Sequence, residues 1–358
     1  DVVVKEEFDF AVKEIYDGRA WEDISGIVYR KNGEIVETQY RKPNRDFAKI
    51  PFVSSVYKRD LNILDYHLPF ALRPYISIFS GRGCPYKCDF CLWPQTFTGR
   101  IYRKRPVEDV IEEVRYIKKE FPKVREIFFD DDTFTVNNKW TLEFCEKMKH
   151  ENITWSVNAR VDVPRETLFK MKEANCRLLV VGFESGSQEI LDNIEKDATI
   201  EQAIEFRKNC LNAGLMIHGT FVLGLTGETK KTIQSTTDFV KELDLESVQC
   251  SVATPLPGTK FYDYCVENDY LRDNIDHINQ SGFQTSRVDY PDLTNEEITE
   301  SVERFLTEYY WRLKFHLKLI RMALSNVDEF RRIWKSGSEY LWYFIRNVLF
   351  VRVGHGNR

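Results

Sequence analysis

The sequence predicts an α/β fold: a partial, TIM-like (β/α)6 barrel with an N-terminal β-containing extension and a C-terminal helical region. Three observations predict it. Apolar, β-branched runs lie at 76–80, 125–130, 154–158, 177–182, 216–223 and 247–253, and each has the length of a strand. Between them, apolar residues recur at three- and four-residue steps, as at Val107, Val110, Val114, Ile117 and Phe121, where Pro106 suits a first helical turn. The composition is that of a large packed core, 42% hydrophobic and 30% charged over 358 residues, too apolar for disorder. Strand then helix, six times over, specifies a parallel sheet with helices outside, two units short of a complete eight-unit barrel.

The elements follow in order. Residues 1–74 do not fit the alternation: DISGIVYRKNGEIVETQYRK reads as a hairpin around Asn32-Gly33, followed by an extended, proline-containing connector. Residues 75–260 form the barrel, with helices at 106–121 and at about 138–150, 165–175, 199–213 and 229–243. Residues 261–358 form the helical region. From Arg304 onward this region carries 11 Lys and Arg against 4 Asp and Glu, interleaved with aromatic residues such as Tyr309, Trp311, Phe315, Trp334 and Trp342. Two readings stay open: a pair of helices closing the open side of the barrel, or a basic, aromatic face resting on an anionic membrane.

Charge and hydropathy exclude other classes. Lys and Arg total 51 against 56 Asp and Glu, a net charge of -5, which does not suit a protein built to hold duplex nucleic acid. No nucleic-acid partner is expected. No run approaches the ~18 apolar residues of a spanning helix, and DVVVKEEFDF is no signal peptide. A cytoplasmic location is expected, with peripheral membrane association as one of the two open readings of the C-terminal helices.

The 8 cysteines are too few for a disulfide scaffold, but three crowd into CPYKCDFC as Cys84, Cys88 and Cys91. Cys145, Cys176, Cys210 and Cys250 sit on apolar stretches and read as small buried hydrophobes. A structural zinc site wants four ligands, and no second C-x2-C pair exists. A cubane iron–sulfur cluster is normally held by four thiolates, so three leave one iron open for a substrate or cofactor. Gly81 and Gly83 give a permissive backbone before the first ligand, and Phe90 can shield the cluster from water.

C-x3-C-x-aromatic-C after an apolar strand resembles the radical S-adenosylmethionine (SAM) enzymes. The resemblance runs from Tyr75 to Thr259 through FFDDDTF at 128–134, NARVD at 158–162, GFESGS at 182–187, GTFVLGLTGET at 219–229 and TPLPGT at 254–259. It implies that Cys84, Cys88 and Cys91 are the metal ligands and catalytic set of a [4Fe-4S] cluster whose fourth iron chelates the methionine part of SAM. A one-electron reductant then yields a 5′-deoxyadenosyl radical that takes a hydrogen atom from an unactivated carbon.

Each remaining motif takes a role under that resemblance. Asp131 and Asp132 are favoured among Asp130–Asp132 as acceptors for SAM's ammonium group. Arg160 is expected to hold its carboxylate through a planar fork, Glu184 and Ser185 to meet ribose hydroxyls, Gly224 and Gly227 to allow close backbone approach, and the Pro255–Thr259 turn to face adenine. Glu228 is expected to cap the next helix and His218 to be a satisfied core residue, while Tyr86, Trp93 and Gln95 flank the cluster loop near the substrate.

The nearest subgroup carries a cobalamin-binding domain before the barrel. Its D-x-H-x-x-G motif is only half matched, Asp65-Tyr66-His67 being followed by Phe70 in place of glycine, so cobalamin is not expected to bind this chain. Within the subgroup, GRGCPYKCDFCLWPQ with FFDDDTFT is most similar to the lipid-headgroup enzymes that make hopanoid cyclitol ether and archaeal calditol. The expected substrate is therefore a lipid-linked sugar headgroup rearranged into a cyclopentane polyol. The alternatives are lipid ring formation, porphyrin-type cyclisation or methylation, and, from another class, an iron–sulfur electron carrier.

Overall fold

A computed structural model describes residues 1–47, 50–272, 274–278 and 284–344. The N-terminal strands β1 (Val2–Val4), β2 (Ile27–Lys31) and β3 (Glu34–Glu37) form an antiparallel sheet, against which α1 (Asp9–Tyr16) buries Ala11 over Ile24, Ile27 and Tyr29. The expected hairpin is present. Asn32 and Gly33 have φ of 51° and 90°, the left-handed pair that a two-residue turn between right-twisting strands requires. Helix α2 (Val53–Asp60) then leads the connector toward the barrel.

All six expected barrel strands form. Strand β4 (Tyr75–Ile78) enters the barrel, and a short antiparallel ribbon of β5 (Gly81–Arg82) and β6 (Arg103–Lys104) follows it. The remaining barrel strands are β7 (Glu126–Phe129), β8 (Thr154–Ala159), β9 (Cys176–Glu184), β10 (Met216–Leu223) and β11 (Ser247–Val252). The order β4-β7-β8-β9-β10-β11 is parallel throughout. The first strand stops two residues earlier than its apolar run, because the chain turns at Ser80 into the ribbon.

The helices are α3 (Trp93–Thr96), α4 (Val107–Glu120), α5 (Asn138–Met148), α6 (Arg165–Glu173), α7 (Gln188–Asn193), α8 (Ile200–Ala213), α9 (Lys230–Leu243), α10 (Lys260–Glu267), α11 (Asn295–Tyr310), α12 (Leu313–Ser325) and α13 (Val327–Phe344). Side chains alternate along each strand, and the outer set is buried. Phe129 and Trp155 pack edge-to-face with Phe144 of α5, at centroid separations of 5.3 and 5.2 Å, a geometry that adds to area burial. Cys145, Cys176, Cys210, Cys250 and Cys265 are all buried thiols. The inner set is mixed: Phe128, Leu178 and His218 are buried, whereas Ser77, Asn158, Thr220 and Gln249 keep solvent contact.

The lumen is plugged at its N-terminal end. Phe70 packs on Phe128 at 5.4 Å and on His218 at 4.8 Å, so the phenylalanine that interrupts the half motif is a structural stopper. His218 is satisfied by Ser247 at 2.8 Å, and burial pushes its pKa down to about 4, so it stays neutral. Beneath the plug lies a buried ionic chain. Arg177 bonds Glu126 (3.0 Å) and Glu329 (2.7 Å); Arg332 bonds Glu329 (2.7 Å) and the Pro69 carbonyl (3.0 Å). It ties α13 to the barrel base.

The C-terminal helices do not close the open side. Helix α11 lies outside the sheet, where Phe305 meets Phe221 of β10 at 5.3 Å and Tyr309 donates to the Leu245 carbonyl at 2.6 Å. A second correction concerns Glu228. Helix α9 is capped by Thr229, whose hydroxyl accepts from the Thr232 amide. Glu228 is buried instead, accepting from the Gly224 amide at 3.2 Å and from the Thr232 hydroxyl, because the loop folds back over it.

Two stability outcomes follow from these buried charges. Arg177→Met leaves Glu126 and Glu329 without their shared partner and is expected to cost about 3–5 kcal/mol in urea denaturation; a loss below about 1 kcal/mol would show that the chain of ions carries little. Burial pushes Glu228 up to about 7 from the ordinary glutamate range. The folded chain thus keeps a proton that the unfolded chain has released, and this contribution, present below the ordinary glutamate pKa, is lost as pH rises through about 7. Urea denaturation at about pH 5 and about pH 8 should show a fall that Glu228→Gln reduces by up to about 3 kcal/mol.

Candidate active site

The cysteine loop emerges at the C-terminal end of β4, and β5 and β6 clamp its two ends into one ribbon. At Gly83, with φ of 94°, an added Cβ would lie 2.3 Å from the Ile101 carbonyl, so only glycine fits. The Gly83 amide donates to Asp132 Oδ2 at 2.8 Å. Fully buried Asp131 accepts from the Ser80 amide (2.7 Å), the Ser80 hydroxyl (2.6 Å) and the Tyr102 hydroxyl (3.0 Å), while burial raises its pKa to about 6. Two neighbouring aspartates thereby fix the loop from opposite faces.

Further bonds seat the loop against the barrel. Asp89 donates its amide to Ile194 O (3.0 Å) and accepts the Phe261 amide (3.3 Å) and the Thr226 hydroxyl (2.5 Å), its own pKa raised by burial to about 6. Gln95 donates to the Cys91 carbonyl at 2.6 Å, bracing the loop from within, while Trp93 is largely exposed.

Cys84, Cys88 and Cys91 ring one cavity of about 200 Å3, with Phe90 on its wall. Among the described residues, no three metal-binding side chains converge closely enough to share a single ion. Three thiols on one cavity, with no fourth cysteine among its lining residues, suit a cluster with one open iron, whereas a structural zinc wants four ligands. Burial raises the Cys88 pKa and pushes Cys91 up to about 12, so cluster loading would have to displace their protons.

The same cavity gathers both signs of charge. Lys196 and Glu184 pair across 2.7 Å, and both line it. Glu184 has φ of 63° at the end of β9, a costly backbone for a non-glycine residue that turns its side chain inward. At Gly182 an added Cβ would lie 2.3 Å from Glu184 Oε1, so that glycine makes room for the pair. Arg160 donates to the carbonyls of Lys196 (2.6 Å) and Asp197 (3.0 Å), and its guanidinium lies 3.6 Å from the Tyr86 ring centre. Its Nε is buried without a hydrogen bond and faces Asp162 Oδ2 at 3.6 Å. The Tyr86 hydroxyl donates to Asp162 at 2.6 Å.

The structure therefore brings together Cys84, Cys88, Cys91, Phe90, Asp132, Arg160 and Glu184. It does not bring in Asp131, Ser185, Gly224 or Pro255. Asp131 is spent on Ser80 and Tyr102, since alternation turns it away from its two neighbours. Ser185 binds Thr236 at 3.0 Å and the Ser187 amide at 3.1 Å. Gly224 makes room for Ile298 of α11, 2.9 Å from an added Cβ, and Pro255 is buried in the turn after β11 away from the cavity. Lys196 and Asn158 are cavity residues that sequence reading missed. Asn158 opens the NARVD motif, the one signal that could have found it; no spacing marks Lys196, which only chain folding carries back to Glu184.

Comparison with known proteins agrees with this geometry. The Radical SAM superfamily matches residues 78–240. An uncharacterized methyltransferase, PH0819, of Pyrococcus horikoshii is 31% identical over 329 residues, covering 89% of this chain and 69% of its own length. The structure of the radical SAM methyltransferase TsrM from Kitasatospora setae, with cobalamin and a [4Fe-4S] cluster bound, has a TM-score of 0.61 at 17% identity, over 86% of this chain and 60% of that one. The cobalamin-dependent radical enzyme OxsB, with aqua-cobalamin and SAM bound, has a TM-score of 0.64 at 15% identity, over 95% of this chain and 55% of that one. The chain thus spans little more than half of those solved proteins. With three thiols set at the mouth of a parallel six-stranded barrel, the chain belongs to the radical SAM superfamily of enzymes.

Proposed function

We propose that this chain generates a 5′-deoxyadenosyl radical and directs it at a sugar headgroup carried by a membrane lipid, beginning a rearrangement to a cyclopentane polyol of the calditol or cyclitol-ether type. The observation that carries radical generation is the cavity, where three thiols, two cations and two carboxylates meet. When bound, a reduced [4Fe-4S] cluster and SAM supply the radical by one-electron cleavage of the sulfonium. Cys84, Cys88 and Cys91 hold the cluster, and Phe90 keeps water from it. Arg160 and Lys196, the two cations on the cavity wall, would meet the SAM carboxylate. Asp132 accepts from its ammonium and Glu184 from its ribose hydroxyls.

The lipid part rests on the paired motifs GRGCPYKCDFCLWPQ and FFDDDTFT and on the C-terminal helices. On α12, Leu313, Leu317, Ile320 and Leu324 recur at three- and four-residue steps and are each more than half exposed; Phe330 and Trp334 continue the apolar surface on α13. Lys314, Arg321, Arg331 and Lys335 accompany them, which suits an anionic bilayer as the occupant. No helix among the described residues is long and apolar enough to cross a membrane, so the contact is peripheral.

A second reading, methyl transfer, is favoured by the methyltransferase name of the Pyrococcus relative and by the cobalamin bound in TsrM. A methylated product that forms only when cobalamin is added would select it.

Anaerobically reconstituted protein with dithionite and SAM is expected to release 5′-deoxyadenosine, and Cys91→Ala to release only background. Release equal to background from the wild type, with a cluster spectrum unchanged by SAM, would leave an electron carrier. In flotation with phosphatidylglycerol-containing vesicles the wild type should rise and Leu317→Glu/Trp334→Glu should sink; wild-type protein that stays down would end the membrane reading.

A further inference from the structure

We propose that Asp130 is the anchoring residue for a neutral, polyhydroxylated ring bound in the barrel lumen beside the cluster cavity. The proposal rests on the reading above and adds to it the residue that selects the ring.

Alternation leaves Tyr75 and Ser77 of β4, Asp130 after β7, Asn158 of β8, Val180 of β9, Met216 and Thr220 of β10 and Gln249 of β11 with solvent contact. Val180 and Met216 pack toward the Phe70 plug; of the other six, five are neutral hydrogen-bonding groups. Between the base network and the cluster cavity, Asp130 is the sole charge among the described inner strand positions. The strand cation Arg177 is locked into the base, and His218 is neutral. A phosphate or carboxylate would meet no cation at this level and would pay for its desolvation. A flat apolar macrocycle would leave the exposed Asp130 carboxylate without a donor of its own. A ring bearing several hydroxyls supplies donors to that carboxylate and can bond the neutral groups around it.

The three consecutive aspartates divide the work. Asp131 has three donors and no exposure; Asp132 holds the Gly83 amide at the cavity. Asp130 stays exposed to the lumen and accepts from the Asn158 amide at 3.1 Å. Its backbone amide donates to Ile78 O of β4 at 2.9 Å, the strand that carries Tyr75 and Ser77. Asn158 also lines the cluster cavity, so a ring held by Asp130 lies next to the place where the radical is formed.

The test uses reconstituted, SAM-bound protein and tritiated octyl β-D-glucoside below its micelle concentration, in equilibrium dialysis. Glucoside should bind and be displaced by free glucose but not by inorganic phosphate. Asp130→Asn should weaken binding at least tenfold and Tyr75→Phe by a smaller factor, with the SAM-induced change in the cluster's EPR spectrum and the thermal unfolding curve intact. Unchanged affinity in Asp130→Asn, or displacement by phosphate, overturns the proposal. Loss of the SAM-induced spectral change in that variant overturns it too, since Asp130 would then serve SAM. Wild-type release of 5′-deoxyadenosine separates the two readings: release without glucoside binding sinks only the anchor, and absence of release sinks the function itself.

Discussion

Two-residue periodicity on six parallel strands is the constraint on which the rest of the structure depends. One face of every strand must be apolar to bury helices, and the other is then free to be polar, because a partial barrel keeps its lumen wet. The aromatic packing of Phe129, Phe144 and Trp155 and the polar series from Tyr75 to Gln249 are two sides of one sheet. The same rule splits Asp130, Asp131 and Asp132 into a lumen group, a buried brace and a cavity group.

Radical chemistry places unusual demands on such a scaffold. The cofactor carries out the difficult bond cleavage, so the protein's contribution is placement and exclusion of water. Placement here comes from buried polar groups that are mostly satisfied. Asp131 on Ser80, Asp132 on Gly83, Asp89 on Thr226 and Glu184 on Lys196 each hold one point of the loop or cavity. Removing a partner from any of them leaves a buried charge uncompensated, which costs more than the bond contributes. The glycines at 83 and 182 belong to the same design, since a Cβ at either would occupy the space of an atom the site needs.

The opposite end of the barrel is built for closure. Phe70 fills the lumen and the Glu126–Arg177–Glu329–Arg332 chain fastens the last helix beneath it. Chemistry is thereby confined to the C-terminal mouth, as in other barrels of parallel strands. That arrangement also leaves α12 and α13 with an apolar face pointing outward.

By itself the sequence determined the six strands, the helices between them, the hairpin at Asn32-Gly33 and the three-thiol loop, because each is written in local periodicity or spacing. Cys84, Cys88 and Cys91 were legible for that reason, and the family likeness with them. Tertiary structure alone decided which polar residues face the cavity. Asp131, Ser185, Gly224 and Pro255 sit in the expected motifs but are not among the residues lining the cavity, whereas Lys196, outside every motif, and Asn158, which opens NARVD without an expected role, do line it. Glu228 likewise folds under its own loop and leaves the helix cap to Thr229. The physical reason is that a motif records distance along the chain, while a side chain's partners depend on strand phase and on elements more than a hundred residues away, as with Arg177 and Glu329, which only folding brings within bonding range.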